Sequence, residues 1–146
     1  MFKHILIPTD GSKLAAKGIK AGVKLAKALG AKVTGVYVVQ PYVAPVYGEA
    51  AIYYTGYSPK QYKEMVAKAG KKALAVVEIE AQTARVRCTT RIVEDSPPWA
   101  GILKAARTCD AIVMATHGRG GVGGLILGSE TQRVLAHAKI PVVVVR

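Results

Sequence analysis

Along this chain, short and nearly continuous apolar runs alternate with longer stretches in which apolar residues recur every third or fourth position. Five runs predict strands: His4–Thr9 (HILIPT), Lys32–Val39 (KVTGVYVV), Arg85–Val93, Asp110–Thr116 (DAIVMAT) and Pro141–Arg146 (PVVVVR). Between Ser12 and Leu29, the positions Ile19, Gly22, Val23, Ala26 and Leu29 follow the spacing of one buried helix face, and Gly30 stands where a C′ glycine stops a helix. Ser58-Pro59 reads as N-cap and N1 proline of a second helix reaching about Thr83, with Tyr62, Met65, Val66, Ala69, Ala73 and Val77 inward. Ser96-Pro97-Pro98 opens a third, short helix with Trp99, Ile102, Leu103 and Ala106 inward, and Ser129 is expected to cap a last helix running to about Lys139. Residues Gln40–Tyr57 have no period and contain the breakers Pro41, Pro45, Gly48 and Gly56.

This alternation predicts an α/β fold: a parallel, doubly wound sheet with helices on both faces. Composition does not shift along the chain and no segment repeats, so residues 1–146 are read as a single domain. In such sheets ligands bind beyond the carboxyl ends of the strands, where the strand order reverses. The two loops richest in polar and glycine residues, Asp10–Ser12 and His117–Gly128, both follow strands and fall at that edge.

Bulk properties narrow the classes. Half of the 146 residues are hydrophobic, but runs such as Ile140–Val145 are far too short to span a bilayer. Met1–His4 leads straight into a strand without the pattern of a secretory signal, so a cytoplasmic location is expected, with no membrane partner. Cys88 and Cys109 are too few for a disulfide framework and too far apart for a metal-binding pair; both fall in strand-like runs and read as small buried hydrophobes. The net charge of +12 would suit nucleic acid or an acidic partner. Its lysines, however, recur at helical spacing, Lys17, Lys20, Lys24 and Lys27 among them, as solvated helix faces do. No nucleic-acid-binding motif accompanies them, so specific nucleic-acid binding is not expected.

The densest chemistry lies in the segment from Met114 to Ser129. Six of the fifteen glycines fall within residues 118–128. Glycine lets consecutive backbone N–H groups turn toward an anion, and the helix opening at Ser129 adds its free amides and positive dipole end. Arg119 offers a guanidinium fork suited to phosphate. The P-loop template fails because Ser129 stands where its lysine is required. The dinucleotide fingerprint matches Gly118, Gly120 and Gly123, but these follow the fourth strand and no acidic residue stands at the required distance beyond.

A third template fits. Gly118, nine residues, then Gly128-Ser129 resembles the G-x2-G-x9-G-[ST] motif of the ATP-binding branch of the universal stress protein family. Ile5-Leu-Ile-Pro-Thr-Asp-Gly-Ser12 resembles that family's first strand and turn, and the Pro-Val-Val-Val-Val strand its last. The resemblance covers essentially the whole chain. It implies a five-stranded sheet of order 3-2-1-4-5, the adenine nucleotide alpha hydrolase-like arrangement. One departure stands out: the first motif glycine is Ala115 here.

By the same resemblance Pro8, Thr9 and Asp10 would border adenosine, with Asp10 near the ribose hydroxyls; locally, Asp-Gly-Ser would equally make an Asx-turn. Val38 would offer its backbone to the adenine edge, and Met114, Ala115, His117 and Gly118 would form a wall. Gly128, Ser129 and Glu130 would meet the phosphates, although the Glu130 carboxylate opposes them and is better suited to a divalent metal, Mg2+ or Mn2+. No second base or carboxylate pair lies near His117 in sequence, so no catalytic residue is assigned and any ATP hydrolysis would be slow. All seven tyrosines lie between Tyr37 and Tyr62, which suits loop packing, a nucleotide lid or a partner surface. The leading expectation is a homodimeric, ATP-binding regulatory stress protein that pairs through its C-terminal strand and acts on an unknown protein partner. A nucleotide-independent scaffold of the same fold and a weak ATPase are the alternatives.

Overall fold

The computed structural model describes residues 1–44, 56–116 and 127–146. Five strands, β1 (His4–Pro8), β2 (Lys32–Val39), β3 (Cys88–Glu94), β4 (Ala111–Ala115) and β5 (Val142–Val145), form one parallel sheet of order β3-β2-β1-β4-β5. The helices α1 (Lys13–Leu29), α2 (Pro59–Ala84), α3 (Pro98–Ala106) and α4 (Ser129–His137) link them. Fold class and strand order are those expected.

Alternation along each strand sorts the core into two layers. Ile5, Ile7, Val33 and Val113 point to one face, where Ile19, Val23 and Ala26 of α1 and Val77 and Ala81 of α2 cover them. Leu6, Val36, Ile112 and Met114 point to the other, against Ile102, Ala105 and Ala106 of α3 and Val134 of α4. Ile5, Leu6 and Ile7 are wholly buried, so β1 loses water on both faces; each such side chain contributes on the order of 1.5–3 kcal/mol. Gly18 lets α1 approach the end of β4, because a Cβ there would stand 2.9 Å from the Ala115 amide nitrogen.

The helix punctuation follows side-chain chemistry. Ser12 accepts the Ala15 N–H and caps α1, and Gly30 (φ 65°) closes it in the left-handed region. At α2, Ser58 and Gln61 form a reciprocal capping box ahead of the N1 proline.

Several local expectations are corrected. Ser129 is the first residue of α4 and Gly128 its N-cap, with no side-chain cap bond; the helix ends at His137 instead of Lys139. The fully buried face of α2 starts at Gly70, with Val66 and Ala69 half-buried before it, while Met65 remains exposed because it lies on the outward side of the helix, turned away from that face. β3 starts at Cys88, since Arg85 takes a left-handed conformation to close α2 and the Val86 N–H bonds back to Ala81. Cys109 lies in the connection before β4, although it is buried as expected. Burial pushes both thiols above their ordinary pKa, although Cys88, expected to be buried, is only half-buried.

Candidate functional site

β1 stops at Pro8, while β2 continues to Val39 and β4 diverges to the opposite side of β1, which opens a crevice at the carboxyl ends of the three strands. The resulting cleft has a volume of about 540 Å³, within the range of small-molecule sites. Pro8, Thr9, Asp10, Val38, Met114, Ala115, Gly128, Ser129 and Glu130 all line it. His117, Gly118 and Arg119 lie outside the described residues, as do positions 45–55 of the tyrosine-rich segment.

The β1 wall is a pair of nested turns. Thr9 Oγ1 accepts the Gly11 N–H at 3.1 Å, and Asp10 Oδ1 accepts the Ser12 N–H at 2.9 Å. The Asx-turn is therefore present. It fixes the direction of the Asp10 carboxylate at the cleft rim, just before the Ser12 cap of α1.

Strand parity decides what β2 presents. The Val36 carbonyl accepts the Thr9 N–H on the β1 side, and the Val39 carbonyl accepts the Asp95 N–H on the β3 side. Val38 shares the parity of Val36, so its N–H and C=O both point to the β1 side, beyond the last residue with which β1 could pair. One donor and one acceptor are thus offered side by side to the cleft. The Val38 side chain packs toward α3, where a Cβ on Gly101 would meet it at 2.7 Å.

On the other wall, the Gly128 N–H is bonded to the Thr116 carbonyl at 2.8 Å, which closes the base of the loop. The first intrahelical bond of α4 runs from the Gln132 N–H to the Gly128 carbonyl. The amides of Ser129, Glu130 and Thr131 are consequently the orphan donors of the helix start, at its positive dipole end. Gly128, with φ −59° and ψ 150°, holds the extended conformation of an N-cap residue. Ala115 sits in regular β4 conformation, with no positive φ, so alanine at the first motif position introduces no backbone strain.

Glu130 does not stand loose beside these amides. Its Oε2 accepts the backbone N–H of Trp99 at 2.7 Å, which supplies the cap that Pro97 cannot give to α3. Among the described residues no group of three His, Cys, Asp or Glu is arranged to hold a metal. Sequence reasoning missed several wall residues. Thr131, buried, ties α4 to β4 by donating its hydroxyl to the Ala115 carbonyl at 3.1 Å. Its place three positions after the motif's last glycine was the available signal. Gln40 and Tyr62 also line the cleft; the Tyr62 hydroxyl donates to the Gln40 carbonyl at 2.7 Å, and the Tyr62 ring packs against that of Tyr42 with centroids 5.5 Å apart.

His4 and His137 are structural. The Thr108 carbonyl can only accept, so His4 Nδ1 donates to it at 2.8 Å, and in the neutral ring Nε2 accepts the Thr34 hydroxyl proton at 2.7 Å. Thr34 in turn accepts from Thr89 at 3.0 Å. Burial holds the His4 imidazole below its ordinary pKa, despite the favourable bond to Thr108. The His137 ring stacks on Trp99 with centroids 4.6 Å apart.

The whole chain, residues 1–146, matches the model of the universal stress protein family. A universal stress protein of Methanocaldococcus jannaschii is 34% identical over 147 residues, covering 100% of this chain and 83% of that protein. One from Thermus aquaticus is 33% identical over 151 residues, with both chains fully covered. Among solved structures, a family member from Burkholderia pseudomallei superposes with a TM-score of 0.74 at 25% identity, covering 98% of this chain and 95% of its own. Two more distant structures share the fold. One is a universal stress protein in complex with cAMP (TM-score 0.72, 19% identity, 99% and 97% covered). The other is an Archaeoglobus fulgidus protein in complex with dAMP (TM-score 0.58, 17% identity, 100% and 98% covered). With the family model matched over its full length and two full-length relatives more than 30% identical, this chain belongs to the universal stress protein family.

Proposed function

We propose that the cleft binds an adenine nucleotide, ATP foremost, and that the protein works as a nucleotide-dependent regulatory module. The observation that carries this reading is the pairing of two backbone arrays across one cleft. Val38 offers a donor and an acceptor suited to the edge of an adenine ring, and the start of α4 offers orphan amides suited to phosphate. Asp10 stands between them, where a carboxylate can accept ribose hydroxyls in charge-assisted bonds. The nucleotides bound by the cAMP and dAMP complexes of the same fold support the adenine class.

The walls that are described hold no histidine, and Asp10 and Glu130 are each engaged with a backbone amide. Such a site favours holding the nucleotide over hydrolysing it. A divalent ion would neutralise phosphate charge when bound; Glu130 Oε2 is engaged with the Trp99 amide, so the carboxylate at the phosphate end would offer such an ion only its other oxygen, beside the phosphates themselves. The homodimer is part of the same proposal. β5 is a sheet edge of valines, Val143 is 38% exposed, and pairing with a second copy would cover it.

Mass spectrometry of nucleotide released from protein purified without added ligand tests the reading, followed by calorimetry with ATP and GTP. Adenine nucleotide in the released fraction and tighter binding of ATP are expected. Equal or tighter binding of GTP would remove the role given to Val38.

A further inference from the structure

The outer surface of the α1–α2 layer carries a charge pattern that the nucleotide site does not use. Lys13, Lys17, Lys20, Lys24 and Lys27 are all exposed and follow i, i+4, i+7, i+11, i+14. Taking 100° per residue, they fall within one narrow outward arc, opposite the buried Ala15, Ile19, Gly22 and Ala26. The row is about 21 Å long. α1 contains no Asp or Glu, and among the described residues the only ion pair is Lys104–Asp95, on the other face of the sheet. Solvated helix faces ordinarily mix both signs; this one does not.

α2 lies beside α1 on the same face of the sheet. Its outward row, at the same kind of spacing, is Met65, Lys68, Lys72, Val76 and Ile79. Both lysines are exposed, and Met65, Val76 and Ile79 are 41%, 44% and 63% exposed. Glu64 and Glu80 flank this row, one on each side, and Glu78 is turned to the β3 edge, where it accepts the Thr90 hydroxyl at 2.6 Å. The layer therefore presents seven lysines in two adjacent rows with three aliphatic side chains among them.

We infer that this face docks on an anionic lipid surface. Seven clustered lysines lie within the range that holds a protein to acidic phospholipid headgroups, and exposed aliphatic side chains among them gain by entering the interface. A phosphodiester backbone would satisfy the lysines and leave Met65, Val76 and Ile79 without a partner. Neither outward row contains arginine or an aromatic ring, the side chains that read or stack on bases. The cleft lies at the strand ends, at the edge of this layer, so a docked protein keeps it open to solvent.

The test is cosedimentation of the full-length protein with phosphatidylserine–phosphatidylcholine vesicles and with phosphatidylcholine vesicles, at low and raised salt, beside titration of duplex DNA. Binding to the anionic vesicles alone, released by salt, is expected. Lys17→Gln, Lys20→Gln and Lys24→Gln together should weaken it roughly a hundredfold. Val76→Ser with Ile79→Ser should weaken vesicle binding severalfold without changing any binding of DNA. All five side chains are exposed, so unfolding temperatures should match the parent; should a variant fail to fold, salt release of the parent protein reads the same contact. No sedimentation with anionic vesicles at low salt, equal binding to both vesicle types, unchanged affinity in a folded variant, or DNA bound more tightly than vesicles overturns the inference.

Discussion

Glu130 and Trp99, thirty-one residues apart, are joined by a 2.7 Å hydrogen bond from the Trp99 backbone N–H to Glu130 Oε2. The carboxylate that opens α4 thereby closes the start of α3, and one side chain serves two helix N-termini. Glu130→Ala should cost about 1 kcal/mol of stability, read by denaturant unfolding, because α3 has no other side-chain cap. Glu130→Gln keeps an acceptor and removes the charge, so Mg2+–ATP affinity by calorimetry should hold or rise severalfold. A loss of affinity would make Glu130 a metal ligand.

Gly128→Val should abolish nucleotide binding while the fold survives. The φ of −59° is open to any residue, and the bond from its N–H to Thr116 does not depend on the side chain. A branched side chain beside the Ser129 and Glu130 amides would block the approach of phosphate. Circular dichroism with calorimetry checks both halves, and unchanged ATP affinity in a folded variant contradicts the loop geometry.

Acid should destabilise the protein in two stages. The His4 pKa lies below 6.5 when folded, chiefly through burial, so the unfolded chain takes up the proton first. Stability linked to His4 is complete above 6.5 and declines as pH falls below it. The Asp110 carboxylate is held below 3.8 by the Lys3 and His4 backbone N–H groups, at 2.7 and 2.8 Å, so its contribution persists above that value and is lost further down. Denaturant unfolding across the acid range should show both declines; His4→Gln should remove the upper and Asp110→Asn the lower.

Val143→Glu tests the dimer. The side chain is exposed at the free edge of β5, so the substitution leaves the core intact while placing like charges across a two-fold strand pair. Sedimentation should find a folded monomer. A stable dimer that survives this change pairs elsewhere.

Element order and most boundaries were legible because buried parallel strands leave unbroken apolar runs, and because Ser12, Gly30 and Ser58-Pro59 mark helix ends by their own chemistry. Ser129 misled because a hydroxyl after glycine looks like a cap, whereas the neighbouring Gly128 takes that conformation without a side-chain bond. Met65 misled because it stands at i+3 from Tyr62 and i−4 from Ala69 and so passes for their face, although the buried positions Gly70, Ala73, Leu74, Val77 and Ala81 centre on the opposite side of the helix. Nine wall residues of the cleft were named through the family resemblance. The engagement of Glu130 was hidden, since Trp99 is a partner distant in sequence; the Val38 backbone was named only through the resemblance, because its direction depends on strand parity against β1 and β3 and its exposure to the cleft on where β1 stops.

The close crossing of α1 over β4 makes Gly18 a remote control on the cleft. Gly18 is not part of the wall, yet a methyl group there would press on the backbone of Ala115, which is. Because backbone cannot rotate away as a side chain would, the helix must retreat or the strand end must shift. The shape of the cleft wall can therefore be tuned from behind the sheet, with every residue that lines the cleft left as it is.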